Sequence, residues 1–495
     1  MESNVPSGVV PRLRVVDDAL FLRNITMRLP FRYGKAVLVA APLLHLRLVM
    51  EGPDGKPITG VAADMLPPKW FDKDPSKKFE DNIHDLIAAV RIAGNVYRDA
   101  SYGGATPFDT WANAHPVVMR YGHEAGLNGL TAQFGSSLYE RAVIDAHGKR
   151  AGATFHTMLR ENLLGIRPDS IVPHLAGFNP RGFVAQAPPT GVHIRHTVGL
   201  GDALRDSEVP EVERRVQGLP VTVESWIREA GVHCFKIKAS GDSTVDGARL
   251  ESIFGLFREC APADYAVTLD GNEQFTSLAA LKDWWDTLSV RPGLAEFWQR
   301  VLYFEQPVDR ARALEVTREE VADLGPAFPP LLIDESDDAV DTFQRALHCG
   351  YRGVSAKNCK GVFKSIINAA LAAHLSQGKP GAFFLSAEDL CNQPIVPLQQ
   401  DLCVASALGV MHAERNGHHY AGLLDHLSPK ERAQALELHG SLYEPHGASG
   451  RLRIRNGVVD VRSLQVPGLG IASEVDFESM TPVDDWKFES LGIEE

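Results

Sequence analysis

The chain has little of what several protein classes require. Positive charge is in deficit: 50 lysines and arginines stand against 63 aspartates and glutamates, a formal net charge of −13 over 495 residues. A general nucleic-acid binder needs a clustered basic surface that displaces counterions, so nucleic acid is excluded as a partner. Cysteine is sparse: Cys234, Cys260, Cys349, Cys359, Cys391 and Cys403 show no CxxC spacing. That pattern calls for neither a zinc site nor a disulfide framework, and it fits reduced thiols in a cytoplasm. Long apolar runs are missing as well. Residues 1–20 contain Asp17 and Asp18 but no continuous apolar stretch, so no secretory signal is expected. The longest such run, Ala36 to Met50, is broken by His45 and Arg47 and is too short for a bilayer, so no membrane partner is expected. There is no repeat and no low-complexity segment.

What is present is an ordinary globular composition, 44% hydrophobic and 23% charged, in a chain long enough for a barrel and a second domain. The first part predicts a strand meander over Arg12–Val16, Val37–Met50 and Ile58–Ala63, with a turn at Gly52-Pro53-Asp54-Gly55, where Pro presets φ and Gly accepts positive φ. Helical periodicity follows over Asp81–Val96 and around 109–125 and 133–164, which makes an α+β unit. Residues 166–190 are rich in Pro and Gly and cross to a region of alternating strands and helices. The strands expected there are Val192–Val198, Cys234–Lys238, Ala266–Asp270, Leu302–Glu305, Leu331–Asp334, Gly353–Lys357, Phe383–Ser386 and Val410–Ala413. Between them lie helical patterns such as Val245, Leu250, Ile253, Phe254 and Phe257 on one face, with Ser243 as the expected cap. Eight strands match a barrel better than an open doubly wound sheet. In the tail, Asn456-Gly457 between alternating apolar residues is a hairpin signal.

Five strand ends carry charge: Phe235-Lys236-Ile237-Lys238, Thr268-Leu269-Asp270-Gly271-Asn272, Tyr303-Phe304-Glu305-Gln306-Pro307, Leu332-Ile333-Asp334-Glu335-Ser336 and Ser355-Ala356-Lys357-Asn358-Cys359-Lys360. The C-terminal ends of barrel strands are where a β/α barrel places its chemistry. Asp270, Glu305 and Asp334 each lie about one strand–helix–loop unit apart, so consecutive strands point them at a common centre. Three carboxylates suit a hard divalent cation, although any one of them alone is as readily a helix cap. Lys236 and Lys238 alternate along one strand and therefore share a face. Side by side and near a dication, two ammonium groups are expected to lower a lysine pKa toward that of a useful base.

Lys-x-Lys, Asp-x-Asn, Glu-Gln-Pro, Asp-Glu-Ser and a further Lys, in this order, resemble the enolase superfamily and within it the muconate-lactonizing-enzyme subgroup of the mandelate racemase/muconate lactonizing enzyme family. Leu29-Pro30-Phe31-Arg32 with Gly34, the helix through Tyr139–Ala146, and Pro467-Gly468-Leu469-Gly470 resemble that group's capping domain, so the likeness covers most of the chain. It implies an α/β fold: a modified TIM barrel, (β/α)7β, over 186–428, under an α+β cap formed by 1–185 and completed by 429–495. It further implies Mg2+, with Mn2+ as a substitute, held by Asp270, Glu305 and Asp334. Lys238 is the implied base on one face, Lys236 tunes it and contacts a substrate carboxylate, and Lys357 acts on the other face. Asn272 and Glu335 orient ligands, while Glu388, Asp389 and Glu414 stand where they face substrate or cap the barrel rim.

The implied activity is that of a lyase or isomerase which abstracts the proton α to the carboxylate of a small acid through a metal-stabilised enolate, as a cycloisomerase, epimerase, racemase or dehydratase. Such proteins are commonly homo-oligomers. The segment after the seventh strand reads Leu385-Ser386-Ala387-Glu388-Asp389 and supports no His–Asp dyad, and His412-Ala413-Glu414-Arg415-Asn416 lacks the Asp-x-Asp of dipeptide epimerases. The loops that select substrate are expected near Arg32, Tyr33 and 65–71. Two other readings stay open: a Schiff-base aldolase using Lys238 or Lys357, and a non-catalytic barrel that keeps a metal for structure.

Overall fold

A computed structural model describes residues 10–33, 36–177 and 179–493. Its first unit is an antiparallel meander of Arg14–Tyr33, Ala36–Glu51 and Pro57–Met65, with Thr481–Pro482 paired on the outer edge of the first strand. The turn expected at Gly52–Gly55 is there: Gly55 N donates to Gly52 O at 3.0 Å, and Gly55 takes φ +70°. The first strand is much longer than Arg12–Val16. Its polar residues concealed the pattern, and a register shift between Thr26 and Phe31 accommodates Pro30 in the middle of the pairing.

Helices Phe79–Ala100 and Gly129–Ala151 pack on this sheet, and Pro107–Glu124 packs against both of them. The last of them is buried on nearly every side from Leu130 to Gly148, so its polar residues must find partners inside. Arg141 donates to Asp64 at 2.8 Å, with both side chains fully buried. Asp145 accepts from Val61 N and from Leu469 N, each at 2.9 Å, and so ties the meander to the tail. A Cβ on Gly148 would stand 2.6 Å from Gly468 Cα, so this crossing requires glycine.

The second unit is a closed barrel. Its strands are Gly191–Val198, Cys234–Lys238, Ala266–Asp270, Val301–Glu305, Leu331–Ile333, Gly353–Ala356, Phe384–Ala387 and His412–Glu414. Each pairs in parallel with the next, and His412–Glu414 pairs in parallel with His193–Arg195 to close the ring, which excludes the open doubly wound sheet. Helices Val223–Ala230, Ser243–Cys260, Leu278–Ser289, Arg318–Ala322, Thr342–Cys349, Val362–Leu375 and Val396–Ala407 fill the seven connections, and the short Gly417–Tyr420 and then Pro429–Leu438 follow the eighth strand. The expected cap Ser243 gives way to Asp242, whose carboxylate accepts from Thr244 N and Val245 N; Val245 is exposed rather than on the packed face.

Alternation decides what enters the barrel. In the second strand Phe235 faces the helical layer, stacking on Phe257 at 4.2 Å between centroids, so Lys236 and Lys238 are turned inward. Beyond the barrel, the Asn456-Gly457 hairpin joins Ile454–Arg455 to Val458–Asp460, and the latter pairs antiparallel with the start of the first barrel strand. The tail thus adds to the barrel sheet as well as to the cap. Among the described residues, no helix is long and apolar enough to cross a membrane.

Candidate active site

The strand ends converge on the Lys236 ammonium, which is 2% exposed. Its Nζ donates to Glu305 Oε1 at 2.7 Å, to Glu414 Oε2 at 2.7 Å and to Glu388 Oε2 at 3.1 Å, and lies 3.0 Å from Asp270 Oδ2. Four buried carboxylates therefore share one cation. Lys238 Nζ donates to Asp270 Oδ2 at 2.6 Å. Lys357 Nζ donates to Asp334 Oδ2 at 2.6 Å and stands 3.2 Å from Glu388 Oε2. Lys238 belongs to the second strand and Lys357 follows the sixth, so they approach from opposite sides of the ring.

Every residue singled out from the sequence lies at this end of the barrel, but their groupings differ from expectation. Oxygens of Glu305, Asp334 and Glu388 lie within 4.8 Å of one another. The Asp270 carboxylate is instead held by the two lysines and by Asn272 N at 2.8 Å, so the grouping seen has Glu388 where Asp270 was expected. Asn272 Nδ2 donates to Glu335 Oε1 at 3.0 Å. Asp389 lines the cavity, yet its Oδ2 accepts from Arg415 at 2.7 Å. Glu414 also accepts from Thr197 Oγ1 at 2.7 Å and from Asn416 at 2.8 Å.

Some participants escaped sequence reading. Arg195, on the first strand, donates to Glu388 Oε1 at 3.0 Å and to Ser386 Oγ at 2.7 Å. Lys360 donates to Asp334 Oδ1 at 3.0 Å and to Ser355 Oγ at 2.6 Å. Arg195 sits mid-strand in His193-Ile194-Arg195-His196-Thr197, and only an alternation count from a known strand start could have turned it inward.

The acids around Lys236 and Lys357 set their electrostatics. Burial disfavours the Lys236 ammonium, but Asp270, Glu305, Glu388 and Glu414 outweigh it and push its pKa well above the ordinary value. Burial likewise opposes the Lys357 charge, and Asp334 with Glu388 reverses that, holding it well up. The neighbouring carboxylates, not the adjacent lysine, dominate. Burial works against ionised Asp334, yet Lys357, Lys360 and Lys236 hold it well below the usual carboxylate range. Glu305 goes the other way: burial, then Asp270 and Glu388, push it well up. Burial, with Asp334 beside it, brings Glu335 to about 7.

The cavity over these groups encloses ≈ 470 Å³ of empty space, its open mouth included. The cap supplies Phe31, Leu38, Pro67 and Trp70 to its wall. Trp70 is pinned to the barrel through its carbonyl, which accepts from Arg310 at 3.2 Å, and Arg310 is itself paired with Glu273 at 2.9 Å. Of the loop positions expected to select substrate, 65–71 thus reaches the cavity, whereas Arg32 is exposed and the Tyr33 side chain lies outside the described residues.

The donor set suits a hard divalent cation. It is all oxygen, three carboxylates converge, and Glu305 Oε2 is buried with no hydrogen-bond partner. Burial first, and then the negative charge of Asp270 and Glu388, push Glu305 up, and a dication would relieve the second of these. The Lys236 ammonium already occupies the focus of that charge.

No family model matches the chain, and no curated protein matches it in sequence. Solved structures do match in fold. An enolase from Bradyrhizobium, complexed with magnesium and mandelic acid, aligns with a TM-score of 0.57 and 16% identity, over 95% of this chain and 98% of its own. A mandelate racemase/muconate lactonizing protein from Herpetosiphon aurantiacus aligns with a TM-score of 0.57 and 15% identity, over 94% and 100%. A muconate lactonizing enzyme from Pseudomonas fluorescens, complexed with muconolactone, aligns with a TM-score of 0.55 and 14% identity, over 95% and 98%. Eight parallel strands closed into a barrel, capped by an antiparallel sheet with its helices and matched along nearly the whole chain, are the fold of the enolase superfamily.

Proposed function

We propose that this protein is a Mg2+-dependent lyase or isomerase that removes the proton α to the carboxylate of a small-molecule acid. The observation that carries this reading is the convergence of Glu305, Asp334 and Glu388 between two lysines from opposite sides of one barrel mouth. Glu305 and Asp334, with Glu388 or Asp270 as the third acid, would hold the cation. When bound, a divalent cation would counter the carboxylates that hold Lys236 and Lys357 protonated and stabilise the charge that develops on a substrate carboxylate as its α-proton leaves.

The chain's own groups supply the rest. Lys238 Nζ takes the α-proton from one side of the substrate, and Lys357 Nζ delivers or removes a proton on the other. Lys236 Nζ is available to a substrate carboxylate once the acids around it are otherwise neutralised. Asn272 and Glu335 fix the turn that carries Asp270. Phe31, Leu38 and Trp70 exclude water from the proton-transfer path. The same lid faces any substrate, so the net outcome, whether cycloisomerisation, epimerisation or dehydration, lies in its shape.

The neighbours support this reading by fold, and one of them is complexed with magnesium and an acid bearing an α-hydrogen. A Schiff-base reading would place a carbonyl substrate on Lys238 or Lys357 and would leave the converging carboxylates without a part in the chemistry. The test is incubation with a panel of carboxylic acids and Mg2+ in D2O, scored by α-deuterium uptake and product. Exchange that disappears in both Lys238→Ala and Lys357→Ala supports the two-sided arrangement, and activity that survives both ends it. Borohydride trapping with a carbonyl substrate, insensitive to EDTA, would establish the aldolase instead.

A further inference from the structure

The opposite end of the barrel, where the strands begin, holds a second cluster of metal-ligating side chains. His193 is the third residue of the first strand, Cys234 opens the second, and His233 precedes it. Cys234 lies on the same face of its strand as Lys236 and Lys238, and His193 on the same face of its own as Arg195, so both side chains enter the floor of the barrel. His193 Nδ1 stands 2.9 Å from His233 Nε2. One ligand atom from each of His193, His233 and Cys234 lies within 4.8 Å of the other two.

We propose that His193, His233 and Cys234 form a binding site for a borderline-soft transition-metal ion, Zn2+ by preference, distinct from the carboxylate site at the mouth. Three observations carry it. The donor set is two imidazoles and a thiol, the chemistry of zinc rather than magnesium. His233 Nδ1 lies 2.9 Å from Gly231 O, a group that only accepts, so the proton sits on Nδ1 and Nε2 offers its lone pair inward. A backbone carbonyl on the far nitrogen is the usual way a ligating histidine is held in orientation. The Cys234 sulfur, buried, has no hydrogen bond among the described residues, so it is free to ligate.

The geometry is near what such an ion requires. With zinc–nitrogen and zinc–sulfur bonds of about 2.0 and 2.3 Å, tetrahedral ligand atoms stand roughly 3.3–3.6 Å apart. The two nitrogens are at 2.9 Å, and the Cys234 sulfur lies within 4.8 Å of a ring nitrogen of each histidine. Three protein ligands leave a fourth position on the half-exposed histidine side, where water or the exposed Asp264 carboxylate, which acts electrostatically on both His193 and Cys234, completes the set. The ion would clasp the first barrel strand to the second at the end of the barrel whose residues serve stability rather than catalysis. The inference is independent of the activity proposed above.

The test uses the full chain, stripped with chelator and dialysed into buffer with excess Mg2+. Co2+ is titrated as a spectroscopic probe and Zn2+ as competitor. The expected result is a thiolate-to-cobalt charge-transfer band at one equivalent per chain, removed by one equivalent of Zn2+ and indifferent to Mg2+. Cys234→Ser abolishes the band, and His193→Gln weakens Zn2+ binding by at least about tenfold, the loss of one of three ligands. Zn2+ also raises the melting temperature of the wild type but not of His193→Gln, the more exposed site, which keeps the test valid should Cys234→Ser fail to fold. A band that persists in Cys234→Ser, or a melting temperature that rises equally in wild type and His193→Gln, overturns the proposal. So does the absence of both signals, which would leave a plain hydrogen-bonded histidine pair.

Discussion

Lys357 carries its ammonium 4.4 Å from the centroid of the Trp70 indole, so a cap side chain covers a barrel lysine at the point where proton transfer is proposed. Trp70 is 8% exposed and held by Arg310, which leaves it little freedom to move aside. A cation over an indole face contributes about 0.5–2 kcal/mol, and the ring also excludes water. Trp70→Ala is expected to lower kcat/KM for an exchangeable acid by about tenfold, with cation affinity nearly unchanged. Calorimetric Mg2+ titration beside the exchange assay checks this; an equal fall in cation affinity would assign Trp70 to the metal site instead.

Lys236 neutralises four buried carboxylates. Lys236→Met leaves Asp270, Glu305, Glu388 and Glu414 buried together, an arrangement that costs about 3–5 kcal/mol when a partner is removed. In metal-free buffer its melting temperature is expected to drop sharply. Mg2+ should restore most of the loss, because the cation takes over the same charges. Thermal melts with and without Mg2+ measure both, and a variant that melts like wild type without metal contradicts the central role of Lys236.

In the proposed cation site, Glu388 and Asp270 are the alternatives for the third ligand. Glu388→Gln is expected to weaken Mn2+ binding, followed by electron paramagnetic resonance, by about tenfold or more, and Asp270→Asn by less. The opposite ranking would return the site to the triad expected from the sequence.

Glu140 provides a pH test away from the metal site. Its Oε1 accepts from Phe363 N, Oε2 has no partner, and burial pushes its pKa to about 8. A carboxyl raised in the folded state binds its proton more tightly there than in the unfolded chain. Its stabilising contribution is complete below the unfolded pKa and is lost as pH climbs through the folded one. From about pH 5 to about pH 8 the wild type should therefore lose roughly 2–4 kcal/mol that Glu140→Gln does not. Denaturant midpoints across that range decide it, and parallel curves refute the assignment.

Much of the fold was legible because its signals are local. The strands Cys234–Lys238 and Ala266–Asp270 end where their apolar runs meet charge, and the period of two places Lys236 and Lys238 on one face without knowledge of any neighbour. The long first strand Arg14–Tyr33 was not legible, because its pairing partner, rather than its own polar-rich text, makes it a strand. The surroundings of Lys236 were not legible for a similar reason: the carboxylates around it come from positions 270, 305, 388 and 414.

The sequence by itself determined the order of the charged strand ends, the face each side chain takes along its own strand, and the net acidic character of the chain. Ring closure was decided only in three dimensions, by His412–Glu414 meeting His193–Arg195. Closure carries Arg195 and Glu388 to the centre of the mouth, while the parallel pairing of the first strand with the second sets His193 beside His233 and Cys234 at the floor. These groupings lie across strands distant in the chain. Spacing along the sequence carries no record of them, because the hydrogen bonds that bring them together run perpendicular to the chain.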